Sequence, residues 1–159
     1  MATHHATIHW QLRTDDSFTT NRYSRRHTWT FDGGTVVPAS SSPAVVPVPM
    51  SSAEAVDPEE AFVASLSSCH MLWFLSIASK RGFVVSEYTD HSRGTMGRNS
   101  AGKMAMVRVN LMPMSRFDGD KRPTRDDIET MHHAAHEQCF IASSVTTEIV
   151  CTPNFADER

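Results

Sequence analysis

The chain has 159 residues, 40% of them hydrophobic and 21% charged, with 15 Lys and Arg against 18 Asp and Glu for a net charge of -3. That length suits a single domain spanning residues 1–159, and the composition excludes disorder, a fibrous repeat and a disulfide-dense mini-domain. The charge provides no broad basic surface, so neither nucleic acid nor a membrane surface is an expected partner.

Met1 to Trp10 carries histidines and threonines where an export signal would place basic residues and an apolar run. The longest apolar run, Met71 to Leu75 continuing past Ser76 to Ala78, is far shorter than the roughly 20 residues that cross a bilayer. A cytoplasmic protein is therefore expected. There the 3 cysteines are too few for a disulfide scaffold and enough for one transient redox pair with one left over.

Thr7 to Leu12 alternates polar and apolar residues and predicts a strand. His27 to Phe31 predicts a second, and the turn residues Asp32-Gly33-Gly34 lead to a returning strand at Thr35 to Val37. Pro38 to Val56 is rich in Pro, Ser, Ala and Val, which predicts an ordered extended loop.

Asp57-Pro58-Glu59-Glu60 marks a helix start: a capping carboxylate, a proline suited to the first helical position, and acids at the positive end of the dipole. The helix is expected to end near Lys80-Arg81, with Gly82 closing it. Its apolar residues, from Ala61 and Phe62 to Ile77 and Ala78, go round every face. Such a helix needs cover on all sides, which predicts a sheet on one side and a second subunit on another.

Phe83 to Thr89 and Met104 to Met112 predict an antiparallel pair joined through residues 94–102, with a turn at Asn99 to Gly102. Thr124-Arg125-Asp126-Asp127 opens a second helix reaching about Cys139, and Glu148 to Thr152 is a closing strand. The order of elements is α+β, with antiparallel sheets around a central helix that carries Cys69.

Alone, Cys69 and Cys139 read as small buried hydrophobes. Their surroundings form a larger pattern. Asp57-Pro58-Glu59-Glu60, Ala64-Ser65-Leu66, Cys69-His70 and, some seventy residues on, His136-Glu137-x-Cys139 together resemble the OsmC/Ohr family of osmotically inducible and organic hydroperoxide resistance proteins. The resemblance spans most of the chain. It implies an OsmC-like fold, an intertwined homodimer, and reduction of organic hydroperoxides with no cofactor. The external reductant would be a dithiol such as a lipoyl-type thiol.

On this resemblance Cys69 matches the peroxidatic cysteine, Cys139 the resolving cysteine and Glu59 the active-site glutamate. Arg25 is the best match for the family's arginine, with Arg22 and Arg26 close enough to compete. Phe140 departs from the family, which usually carries proline after the resolving cysteine.

The chemistry needs these residue types. An unperturbed thiol is only about 3% thiolate at pH 7. A guanidinium can stabilise the sulfur anion, and a carboxylate can orient the guanidinium. Ten residues of helix rise about 15 Å, too far for Glu59 to reach Cys69 of its own helix directly. A site at a subunit interface is therefore expected. A non-enzymatic alternative uses the same cysteine pair only as a redox sensor or in a ligand-binding dimer.

Other residues carry weaker signals. His132, His136 and Cys139 are spaced to share a helix face, with His70 as a distant fourth ligand, but they lack the tight paired spacing of a metal motif, so no metal is expected. Phe62, Leu66, Met71, Leu72 and Trp73 are expected first as core, with some lining a substrate path. Met104, Met106, Met112 and Met114 are expected on one face of a strand, and Cys151 as a buried structural residue.

Overall fold

The computed structural model describes residues 1–155. β1 (Ala6–His9), β2 (His27–Phe31) and β3 (Val36–Ala39) form an antiparallel sheet in that order, with Trp29 opposite both Ile8 and Val37. The Asp32–Gly34 turn closes as its residues require. Gly34 takes φ 82° and its amide donates to Phe31 O at 2.9 Å. The loop after β3 is ordered: Ser40 N donates to Val56 O at 3.0 Å, and Ser52 N donates to Ser40 Oγ at 3.0 Å. These elements belong to the first of two compact units, Met1–Ala61 and Phe62–Arg159.

Helix α1 (Pro58–Lys80) begins where the sequence marks it. Asp57 Oδ1 accepts from Glu60 N and Glu60 Oε1 accepts from Asp57 N, both at 2.8 Å, so two orphan amides are satisfied reciprocally. The far end closes as a Schellman motif. Gly82, at φ 75°, donates to Ser79 O, and Phe83 N donates to Ala78 O at 3.0 Å.

In the second unit, β4 (Val84–Asp90) pairs antiparallel with β7 (Pro113–Asp118). A separate sheet has the order β5-β6-β8, with β5 (Arg93–Arg98) antiparallel to β6 (Met104–Leu111) and β8 (Glu148–Cys151) parallel to it. The expected pairing of residues 83–89 with 104–112 is thus corrected. Gly102 at φ 74° closes a tight turn that commits β6 to its local neighbour β5. The four methionines do not share one strand either: Met104 and Met106 lie on β6, Met114 on β7, and Met112 between them.

Helix α2 (Arg125–Gln138) opens with a capping box: Asp127 N donates to Thr124 Oγ1 at 3.1 Å, and Thr124 N donates to Asp127 Oδ2 at 3.0 Å. A single turn, α3 (Phe140–Ser143), follows it.

Leu66, His70, Phe74 and Ala78 form the buried stripe of α1. Phe74 and Ala78 join Phe83, Met131 and Ala135 in one core cluster, and Leu66 joins Val109 and Leu111 in another. The opposite side of α1 carries Ala64, Ser65, Ser68 and Leu72, all exposed in the single chain. Leu72, expected in the core, is 61% exposed.

By length and composition α1 could cross a membrane, which a count of its unbroken apolar run does not reveal. Two of its polar side chains nevertheless have partners inside the second unit. Ser67 Oγ donates to Asp90 Oδ2 at 2.6 Å, and His70 meets His132. Bilayer lipid would offer those groups nothing.

Candidate active site

Cys139 is the hinge residue between α2 and α3. Its backbone is extended (φ -69°, ψ 111°), so it ends one helix and caps the next, and its Sγ accepts from Ala142 N at 3.4 Å. The helix therefore stops here with phenylalanine rather than proline in the next position. Cys139 is buried, at 1% exposure, while Cys69 is half-buried. Both cysteines are free thiols, and Cys69 is a close enough neighbour to influence the Cys139 thiol. Burial first, and then the interaction with neighbouring Cys69, push the Cys139 thiol up to about 11. At neutral pH Cys139 keeps its proton.

Arg25 and Glu59 lie on one cavity in the first unit, of about 490 Å³, whose apolar walls include Ile8, Trp10, Phe18 and Tyr23. The Arg25 guanidinium lies 3.6 Å from the Tyr23 ring centroid and donates to Asn21 Oδ1 at 2.6 Å and to Asn21 O at 3.2 Å. These contacts fix the planar fork; a lysine could not reproduce them. Arg22 and Arg26 are exposed, and Arg22 lines a different cleft with Asp15 and Asp16. Among the described residues Arg25 has no carboxylate partner in an ion pair.

A second cluster joins His70, His132 and Cys151. His132 does not form a set with His136 and Cys139. It is buried against His70, with His70 Nε2 and His132 Nδ1 2.9 Å apart. The ring planes differ by 5° and the centroids are 5.2 Å apart. That separation equals the N···N distance plus the two ring radii, so the rings lie edge to edge in one plane, joined head on by an N–H···N hydrogen bond. Cys151 Sγ stands 3.6 Å from the same His70 nitrogen, and Cys151 is half-buried rather than fully buried.

Burial, then the charge of His136, lowers His70 to about 4; burial, then His70, lowers His132 to about 3. Burial, then Asp90, raises Cys151 to about 12. The ligand atoms of His70, His132 and Cys151 lie within 4.8 Å of one another. The facing nitrogens of the two histidines are occupied by their shared N–H···N hydrogen bond, however, and a tetrahedral ion would require both rings to turn. One signal for this cluster was present in the sequence: His70 sits at four-residue spacing between Leu66 and Phe74, on the buried stripe.

A model of the family described as OsmC-like protein matches residues 51–154, and the chain belongs to that family. Among solved structures it is similar to an OsmC-like protein of unknown function from Vibrio cholerae, at 53% identity over 97% of this chain and 100% of that one, with a TM-score of 0.95. It also resembles an organic hydroperoxide resistance protein from Elizabethkingia anophelis (14% identity, 99% and 98% of the two chains, TM-score 0.70). A third is the organic hydroperoxide resistance protein OhrB of Bacillus subtilis (15% identity, 98% of each chain, TM-score 0.64). The last two likenesses show the fold alone. No functionally curated protein matches the sequence.

Proposed function

We infer that the chain is a thiol-dependent peroxidase that reduces organic hydroperoxides, working as a homodimer of single OsmC-like domains in the cytoplasm. The proximity of a half-buried Cys69 to a buried, proton-bearing Cys139 carries this inference. Attack by the Cys69 thiolate on the terminal oxygen breaks the O–O bond. Cys69 becomes a sulfenic acid, and the leaving alkoxide takes a proton and departs as the alcohol. The Cys139 thiol then displaces hydroxide from the sulfenic sulfur, giving the Cys69–Cys139 disulfide and water. An external dithiol, oxidised in turn to its own disulfide, returns both cysteines to thiols.

Arg25 would supply the positive charge that stabilises thiolate and peroxide oxygen, with Glu59 orienting it. Because α1 is unbroken from Pro58 to Lys80, Glu59 and Cys69 of one chain stand about 15 Å apart along the helix axis. We therefore assign the cation to Arg25 of the partner subunit, oriented by Glu59 of the partner subunit. The exposed Leu72 side of α1 supports a second chain as its cover. The apolar walls of the cavity shared by Arg25 and Glu59 favour a hydroperoxide with a carbon skeleton, since each buried methylene contributes about 0.8 kcal/mol.

Reduced protein mixed with an aryl hydroperoxide and a dithiol reductant tests this. Repeated consumption of peroxide is expected. Loss of two thiols per chain without turnover would instead leave only a redox sensor.

A further inference from the structure

Beside the thiol pair, Trp73 and Phe140 meet edge to face, with ring centroids 5.4 Å apart and planes at 89°. Each aromatic is tied to one of the cysteines. Trp73 lies one helical turn after Cys69 on α1, and Phe140 directly follows Cys139 at the α2–α3 junction. Trp73 is half-buried against the Phe74 and Ala78 core cluster, whereas Phe140 is 69% exposed. Among the described residues, the Trp73 ring is the aromatic partner of Phe140.

The junction is tied to α1 through Ile141 and Ala142, which pack with the Leu66 cluster, and the aromatic pair adds a contact directly beside Cys139. Cys139 Sγ is held by Ala142 N within its own turn, and a thiol is at best a weak hydrogen-bond partner for Cys69. Disulfide formation needs a sulfur separation near 2.05 Å and a restricted Cα separation, so any freedom of the junction in the reduced protein opposes closure. We propose that Trp73 and Phe140 form an aromatic clasp that positions Cys139 over Cys69 and thereby favours oxidation of the pair. The clasp orders the junction before the bond forms, as preorganisation does in any intramolecular step. Trp73 and Phe140 are positioning residues; neither touches the reacting atoms.

The clasp deepens the peroxidase assignment by setting the redox poise of the same pair, and its test uses no peroxide, so either idea can fail without the other. The full-length protein is equilibrated with oxidised and reduced glutathione. The exchange is balanced: Cys69 and Cys139 thiols plus one glutathione disulfide give the protein disulfide and two glutathione thiols. Phe140→Ala should lower the equilibrium constant for oxidation by about threefold to tenfold, the range of one edge-to-face aromatic pair. Phe140→Tyr, which keeps the ring, should restore it.

Trp73→Ala should act in the same direction, and the double variant should be no worse than the more severe single one, because both remove one contact. The alkylation rate of Cys69 in a Cys139→Ser background should not change with Phe140→Ala. A wild-type glutathione equilibrium in Phe140→Ala would overturn the clasp, as would failure of Phe140→Tyr to rescue it or additive losses in the double variant. Phe140 is exposed enough that its alanine variant should fold normally, which keeps the measurement decisive even if Trp73→Ala is unstable.

Discussion

His70 Nε2 and His132 Nδ1 face each other across 2.9 Å in coplanar rings, sharing one hydrogen bond between α1 and α2. Both imidazoles are held neutral, at about 4 and about 3. The unfolded chain binds protons on these groups below about pH 6.5 and the folded chain does not, so folding stability falls as pH drops from 6.5 towards 4. Urea unfolding at pH 5 should show a stability about 2–4 kcal/mol lower than at pH 7.5, the combined linkage of the pair. A flat profile across that interval would mean that the dyad accepts a proton in the folded state.

The three thiols should differ in reactivity. Cys139 and Cys151 are pushed up to about 11 and about 12, and Cys139 is buried. Brief alkylation of the native reduced protein at neutral pH, followed by peptide mass spectrometry, should label Cys69 and leave the other two until denaturant is added.

Replacing Arg25 separates its proposed chemical role from its packing. Arg25→Ala should slow oxidation of Cys69 by hydroperoxide by about 10²–10³-fold, the usual loss when a group stabilising developing charge is removed. Arg25→Lys should recover only part of that, because an ammonium cannot keep both the Tyr23 stack and the forked bonds to Asn21. Single-turnover kinetics, read from the fall in free thiol, measure both.

The apolar cavity in the first unit predicts a substrate preference. Rates measured side by side should favour a bulky aryl hydroperoxide over hydrogen peroxide. Tyr23→Ala, which removes a wall of the cavity and the surface under Arg25, should narrow the gap chiefly by slowing the aryl substrate.

What the sequence made legible was local. Asp57, Glu60 and Gly82 marked the ends of α1, Thr124 and Asp127 the start of α2, and each signal acts within a few residues of its effect. The pairing of β4 with β7 and the parallel β6–β8 pair were not legible, because register between distant strands is decided by the whole sheet rather than by either strand. In the candidate site, the family motif led to Cys69 and Cys139, whose thiols are neighbours that influence one another. The His70–His132–Cys151 cluster joins residues 62 and 81 positions apart, and helical spacing instead grouped His132 with Cys139, whose extended backbone carries it off that face.

The most direct test follows thiols and peroxide together. One equivalent of aryl hydroperoxide added to reduced wild-type protein should be consumed with loss of two thiols per chain and a Cys69–Cys139 disulfide in the peptide map. Cys139→Ser should consume the same equivalent, stop at a Cys69 sulfenic acid, and not turn over further with dithiol. Unchanged thiol counts, or full turnover in Cys69→Ser, would contradict the assignment of this chain as a two-cysteine peroxidase.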